Sequence, residues 1–240
     1  MNDAISILDQ SRLTGISTDS FRQATPYPWL NPEGLLTPEA FDLLRNNMPS
    51  LDMMKVSFGR KRAHGQKPHD RYALEYRPDL DIHPAWHQLV AELNGPAYQD
   101  WLGRLFATRR FRLSYHWHYA PRGASVSPHC DAKRKLGSHI FYFNTEEEWD
   151  ADWGGQTVIL DDGGRFSRSS APDFDEFERS WTADAMGNRS LLFQRQGNSW
   201  HGVKALECPE DRLRKVFIVV VNADNLGARL RRLWHRPDGY

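Results

Sequence analysis

The residues best suited to chemistry fall in two short stretches, Ser127-Pro128-His129-Cys130-Asp131 and, well downstream, Ser199-Trp200-His201-Gly202-Val203. His129 and Asp131 are two positions apart. On an extended segment alternate side chains share a face, so an imidazole nitrogen and a carboxylate oxygen can reach one ion while Cys130 points away. His201 adds a second imidazole. Two imidazoles and one carboxylate on one face of a metal, with the remaining positions open, suit a non-haem Fe(II) that activates O2. Taken singly the signals are weak: His-x-Asp arises often by chance, and a lone strand histidine is more often a core or surface residue. Cys130 could offer a thiolate, but its opposite orientation favours a buried structural thiol.

Such a site needs a rigid scaffold, and the second half of the chain has the pattern for one. Residues 112–119, 138–143, 156–160, 189–194, 200–203 and 214–222 are rich in β-branched and aromatic side chains and are bounded by Gly, Pro, Asn and Asp, so they read as strands. Most are joined without room for a helix, which excludes a parallel βαβ sheet and favours an antiparallel sandwich or jelly roll. The first half is different. Thr37-Pro38-Glu39 is a helix start, with Thr as N-cap and Pro at the first helical position, and Pro49 closes that helix. Residues 84–93 carry Trp86, Leu89, Val90 and Leu93 at helical spacing. Asn94-Gly95-Pro96 stops that run, and 97–106 restarts it with Trp101, Leu102, Leu105 and Phe106. The expected fold is therefore mainly β with flanking helices.

The remaining segments are less regular. Residues 1–30 read as a loosely packed lead-in, with 27–30 the first anchored piece. Lys55-Val56-Ser57-Phe58 could be a strand, followed by a polar loop over 60–70. Residues 161–188 form a long interruption, opening with Asp161-Asp162-Gly163-Gly164 and carrying an acidic piece of helical character at 172–181. A connection of that length inside a compact β domain is usually functional or disordered. The expected organisation is one domain: lead-in and buttressing helices over 1–110, a core over 111–225 with the 161–188 insertion, and a basic tail over 226–240. Arg229, Arg231, Arg232 and Arg236 of that tail are expected on a solvated surface helix.

Composition narrows the function. The chain has 240 residues with 31 basic against 31 acidic side chains, so no net field directs it to nucleic acid or an anionic membrane. Nine Trp and 12% aromatic residues indicate a packed protein. Two cysteines cannot make a disulfide framework and suit a reducing cytosol. The N-terminus lacks the apolar core of a signal peptide, and the longest apolar run, 216–221, is too short to span a bilayer, so a cytoplasmic protein is expected.

From about 111 to 222 the sequence resembles the prolyl-4-hydroxylase-like branch of the 2-oxoglutarate/Fe(II)-dependent dioxygenases. The resemblance rests on elements in a fixed order: His129-Cys130-Asp131, Tyr142-Phe143-Asn144 with Trp149, Trp153-Gly154-Gly155-Gln156, Trp200-His201, and Leu213-Arg214-Lys215. It implies a double-stranded β-helix (jelly roll) with His129, Asp131 and His201 as ligands of Fe(II). It also implies 2-oxoglutarate as co-substrate and ascorbate as a stimulant. The distal carboxylate of 2-oxoglutarate needs a fixed cation from the last strand, and Arg214 is the choice because a guanidinium grips a carboxylate bidentately and keeps its charge. Arg212 and Lys215 are the competitors; Lys215 should face the other way. Tyr142 falls where the family places a hydroxyl beside that carboxylate, and Tyr119 matches another tyrosine of the pocket wall. Either could equally be a core tyrosine. Gly154-Gly155 shapes a strand start, since no phosphate-cradle signal follows. The implied reaction is oxidative decarboxylation of 2-oxoglutarate to succinate and CO2 coupled to hydroxylation. Retention of Asp131 favours hydroxylation over the halogenation of relatives that lack the carboxylate.

Rival readings attach to particular residues. His116-Trp117-His118 could be a cupin-like metal pair, but no carboxylate follows within a few residues. A non-catalytic jelly roll would have less reason to keep all three ligands and Arg214. His118 and Arg62, the latter in the polar loop, are the candidate substrate-binding residues, and 161–188 could act as a lid. The expected substrate is a small or amino-acid-like molecule, with a protein side chain as the second option and no nucleic acid or membrane.

Overall fold

The computed structural model describes residues 6–60, 62 and 65–224. Two antiparallel sheets face each other. The larger has the order β1-β9-β6-β11-β4-β3-β2, and the smaller β5-β10-β7-β8. The larger sheet is built from β1 (Trp29–Leu30), β2 (Lys55–Ser57), β3 (Arg71–Glu75), β4 (Phe111–Ala120), β6 (Lys135–Tyr142), β9 (Ser190–Gln194) and β11 (Arg214–Ala223). The smaller contains β5 (Val126–His129), β7 (Val158–Asp161), β8 (Arg179–Thr182) and β10 (Trp200–Val203). The expected jelly roll is thus the observed fold.

At the centre of the larger sheet β4 and β11 pair along their whole length, from Arg214 opposite Ala120 to Ala223 opposite Phe111. Alternation then sorts their side chains. Leu113, Tyr115, Trp117 and Tyr119 of β4 pack outward in the helix-covered core with Phe217, Val219 and Val221 of β11. On the same strands Val216 turns inward, joining Tyr142, Ile140, Ile159 and Phe193 in a second core between the sheets. A strand buried on both faces has no use for polar alternation, which is why 216–221 is a continuous apolar run.

Among the described residues five helices cover the outer face: α1 (Gln10–Gly15), α2 (Thr18–Gln23), α3 (Pro38–Asn46), α4 (Pro84–Asn94) and α5 (Pro96–Leu105). Thr37 caps α3 by accepting from Ala40 N, with Pro38 in the first turn. Trp86 of α4 meets Trp117, Phe143 and Phe217 at ring-centroid distances of 5.1, 5.2 and 5.2 Å, so the helical layer is keyed to the central strands by aromatic packing. Among the described residues no helix is long and apolar enough to cross a membrane.

Residues 6–29 are not loosely packed. Ile7, Leu8, Leu13 and Phe21 are all buried, the Glu92 carboxylate accepts from Ile7 N and Leu8 N, and the Tyr27 hydroxyl donates to Trp200 O at 2.7 Å. Each apolar residue there fills a separate tertiary site, so no periodicity announces the packing. Residues 172–181 also differ from expectation. The acidic piece makes one 3-10 turn, Phe174–Glu176, closed by an Asp173/Glu176 capping box, and then runs into β8, which pairs with β7. Residues 226–240, where a surface helix was expected, lie outside the described residues.

Two consequences can be measured. A Cβ on Gly137 of β6 would stand 2.2 Å from Phe193 O and 2.7 Å from the Phe106 ring. Gly137→Ala therefore overpacks a backbone-lined site and should cost at least ~1–3 kcal/mol in urea unfolding. His139, also on β6, is fully buried with Nδ1 2.7 Å from the Tyr98 hydroxyl. Burial lowers its pKa to about 3. The unfolded chain takes up that proton near pH ~6.5, so stability falls as pH drops from there towards 3, by up to ~1.4 kcal/mol per pH unit for this group. His139→Phe should be less stable at pH 7, having left Tyr98 unpaired, but show a shallower acid slope.

Candidate metal centre

The three ligands expected from the sequence come together. His129 ends β5 and His201 lies on β10, directly opposite each other in the pairing, with ring centroids 4.4 Å apart. Asp131 follows two residues after His129. One ligand atom from each of the three lies within 4.8 Å of the others, and this is the one such group of three among the described residues. The smaller sheet thus supplies two imidazoles from paired strand positions, whose side chains necessarily share a face.

Hydrogen bonding fixes how the rings present themselves. His129 Nδ1 donates to Ser127 O and His201 Nδ1 to Ser199 O, both at 3.0 Å. A carbonyl only accepts, so each ring carries its proton on Nδ1 and keeps the Nε2 lone pair for a metal. Burial lowers the His129 pKa to about 3 and lowers that of His201, keeping both neutral as ligation requires. Asp131 is subject to opposing effects. Burial, the largest single influence, pushes its pKa up, yet Lys135, His201 and His129 together outweigh it and the carboxyl is held well below the usual range. Lys135 Nζ lies 2.8 Å from Asp131 Oδ1, and Ser138 donates to Oδ2 at 3.2 Å. Two neutral imidazoles and one ionised carboxylate are the donor set of a facial Fe(II) site.

Backbone contacts lock the ligand loop. Asp131 O accepts from Arg168 Nη2 at 2.8 Å and from Arg195 Nε at 3.3 Å. Arg168 ties the metal loop to the long 161–188 connection, whose Phe166 and Phe177 rings lie 6.2 and 5.8 Å from Trp200, the neighbour of His201. Cys130 packs beside this apolar group on the far side of the small sheet. Burial raises its pKa to about 12, so it is a thiol and not a ligand.

Arg214 opens β11 with its side chain directed inward and 9% exposed. Its Nε donates to Gly155 O, its guanidinium carbon lies 5.5 Å from the Tyr142 ring centre, and the Tyr142 hydroxyl donates to Thr157 Oγ1 at 2.9 Å. Gly155 has φ +99° and a Cβ there would come within 3.2 Å of Arg214 Cδ; the glycine makes the close approach of the arginine possible. The two competing cations point elsewhere: Arg212 pairs with Asp211, and Lys215 reaches Glu148 at 3.8 Å.

Tyr119 is not beside the metal. Its hydroxyl donates to Pro49 O at 2.8 Å on the helix-covered face. Alternation along β4 puts His118 on the inner face in its place, opposite Val216, which on its other side pairs with Tyr142. His116 is inward too, with its ring 6.2 Å from that of His118. Arg62 is half-buried on the loop before β3, near enough to Asp131 for the charges to interact. Sequence reading missed Lys135, Ser138, His69 and Arg71. His69 stands edge-on to His129 with centroids 4.9 Å apart. The signal for β3 was weak because only Tyr72 and Leu74 of its five residues are large apolar side chains.

A double-stranded β-helix bearing two histidines and an aspartate on its inner face defines a class of metal-dependent oxygenases. The family model of the 2OG-Fe(II) oxygenase superfamily matches residues 114–220, the part of the chain that carries His129, Asp131 and His201, and over that span the chain is similar to Fe(II)- and 2-oxoglutarate-dependent dioxygenases. The fold is that of a Pseudomonas putida prolyl-4-hydroxylase at 15% identity, covering 86% of this chain and 98% of that one with a TM-score of 0.59. It is also that of a Trichoplax adhaerens prolyl hydroxylase solved with a hypoxia-inducible-factor peptide (12%, 95% and 94%, 0.62). A third relative is a carbocyclase of nogalamycin biosynthesis (10%, 92% and 92%, 0.60). No curated protein matches the sequence.

Proposed function

We propose that the protein hydroxylates an aliphatic C–H bond of a small or amino-acid-like substrate, with His129, Asp131 and His201 holding Fe(II) and Arg214 holding 2-oxoglutarate. The observation that carries this reading is that His129, Asp131 and His201 offer ligand atoms within 4.8 Å of one another while a buried arginine opens the last strand of the facing sheet. Bound iron supplies O2 activation, coupling decarboxylation of 2-oxoglutarate to succinate with oxidation of the substrate.

The protein's own groups set geometry. Ser127 and Ser199 carbonyls aim the two imidazoles, and Lys135 with Ser138 orients the carboxylate. Arg214, with Tyr142 and Gly155, forms a cationic seat for the distal carboxylate of 2-oxoglutarate, where a buried charge-assisted pair is strong. The apolar wall of Ile140, Ile159, Val216 and Phe193 excludes water. Prolyl hydroxylases among the structural relatives support hydroxylation, although one of them carries a peptide and other relatives are a carbocyclase and an epimerase. The unpaired Cys130 and Cys208 support a reducing, cytoplasmic setting.

The test is anaerobic addition of Fe(II) and 2-oxoglutarate, read by the visible charge-transfer absorbance of the chelate. Aerobic succinate release follows, with mass spectrometry of extract metabolites for a gain of one oxygen. Absence of both the absorbance and succinate would refute the reading.

A further inference from the structure

We propose that Arg168 and Arg195 form a seat for an oxyanion, a carboxylate or a phosphate, against the backbone of the metal loop at Asp131. The seat is built from other residues than that of 2-oxoglutarate and does not depend on the oxygenase reading. Filling it would tie the 161–188 connection to the loop that carries two of the three metal ligands.

Three stretches of chain meet at one carbonyl. The loop after β5 presents Asp131 O, which accepts from Arg168 Nη2 at 2.8 Å and from Arg195 Nε at 3.3 Å. Arg168 arrives on a turn of the 161–188 connection, closed by Ser170 N donating to Ser167 O at 2.8 Å. Arg195 follows β9, and its backbone N donates to Leu136 O of β6 at 2.7 Å. Both side chains are half-buried. Two guanidiniums bonded to the same oxygen are necessarily neighbours. In keeping with that, burial and then the Arg168 charge lower the pKa of Arg195.

A carbonyl has no net charge, so it accepts from both arginines without neutralising either. Among the described residues neither guanidinium has a carboxylate at ion-pair distance. Arg168 Nε is in addition buried with no hydrogen-bond partner, a state that costs stability and that native proteins seldom keep. The two carboxylates whose charges reach Cys130 together with these arginines are Asp162 and Asp131. Both are committed. Asp162 accepts from the Gly164 and Phe166 amides and Trp200 Nε1, and Asp131 from Lys135 and Ser138. The converging stretches supply no other, since 132–145, 163–172 and 189–206 contain no Asp or Glu in a chain with 31 charges of each sign. Like charges held together at reduced dielectric repel, and an oxyanion between them replaces that repulsion with two attractions. Its oxygens suit the remaining N–H groups of both forks, Arg168 Nε included.

The test uses the metal-free full chain at constant ionic strength, with inorganic phosphate, methyl phosphate or acetate replacing chloride. Thermal unfolding is the readout, because a ligand of the native state raises the midpoint in a saturable way. Phosphate or acetate is expected to do so, and the tighter of the two identifies the group. A matching response to methyl phosphate would show that the seat admits the phosphate of a larger molecule; a response to phosphate alone would mark a free ion. Arg168→Gln and Arg195→Gln should each raise the half-effect concentration about tenfold or more. Arg168→Lys keeps a charge but not the fork, should raise it less, and serves where a glutamine variant does not fold. Arg214→Met should respond like the wild type. The proposal is overturned if no anion gives a saturable rise, or if either glutamine variant responds like the wild type. It is also overturned if Arg214→Met loses the response, which would put the anion in the co-substrate seat.

Discussion

Asp131→Ala is expected to lose succinate release and, in the metal-free protein, to be less stable than the wild type by roughly 3–5 kcal/mol. Two separate causes act. The first is ligation: removing a metal ligand should exceed the ~10- to 100-fold losses typical of the groups that merely orient ligands. The second is the fate of Lys135. Its ammonium lies 2.8 Å from the Asp131 carboxylate with side-chain exposures of only 10% and 8%, and deleting one member of a buried pair strands the other. The two causes can be separated. Asp131→Ala/Lys135→Met removes the stranded charge and should recover most of the stability while turnover stays lost. Urea unfolding of the metal-free proteins and succinate release with Fe(II) give the two readouts. A single variant as stable as the wild type would show that Lys135 finds water or another partner.

Arg214→Met should weaken 2-oxoglutarate binding by about ten- to hundredfold, the equivalent of the roughly 1.5–3 kcal/mol carried by a hydrogen bond to a charged group. Half-saturation of the charge-transfer absorbance against 2-oxoglutarate concentration measures it. Arg214→Lys keeps a charge but not the fork that grips both oxygens, and should recover only part of the loss. Arg212→Ala and Lys215→Ala should bind 2-oxoglutarate normally, since Arg212 pairs with Asp211 and Lys215 turns outward to Glu148. A loss in either of those, with Arg214→Met unaffected, would move the co-substrate seat away from Arg214.

The two readings differ in what they draw on. Local chemistry was legible in the chain. His-x-Asp on an extended segment presents both side chains to one face whatever surrounds it, because the strand period is two. The long strands 111–120 and 214–223 announce themselves by β-branched and aromatic content, and the Thr37-Pro38 and Gly95-Pro96 boundaries follow from caps and from proline's missing N–H. The order of the motifs carried the resemblance to the 2-oxoglutarate/Fe(II)-dependent dioxygenases, and the expected reaction class came with that resemblance.

Facing was not legible where it depended on register. Tyr119 and His118 are adjacent, and only the pairing of β4 with β11 decides that the tyrosine goes to the helices and the histidine to the interior. Packing at single sites was equally hidden. Ile7, Leu8, Phe21 and Tyr27 show no periodicity, yet the first three are buried in the helix-covered core and Tyr27 in the core between the sheets. The surroundings of His129-Cys130-Asp131 came only with the folded chain. His69, Arg71 and Arg168 reach it from distant sequence, and a set of contacts made across sheets leaves no local pattern to read. The sequence by itself determined which atoms could bind iron; tertiary structure decided how they are aimed, which cations surround them and which face of each strand they see, because those depend on long-range pairing and burial.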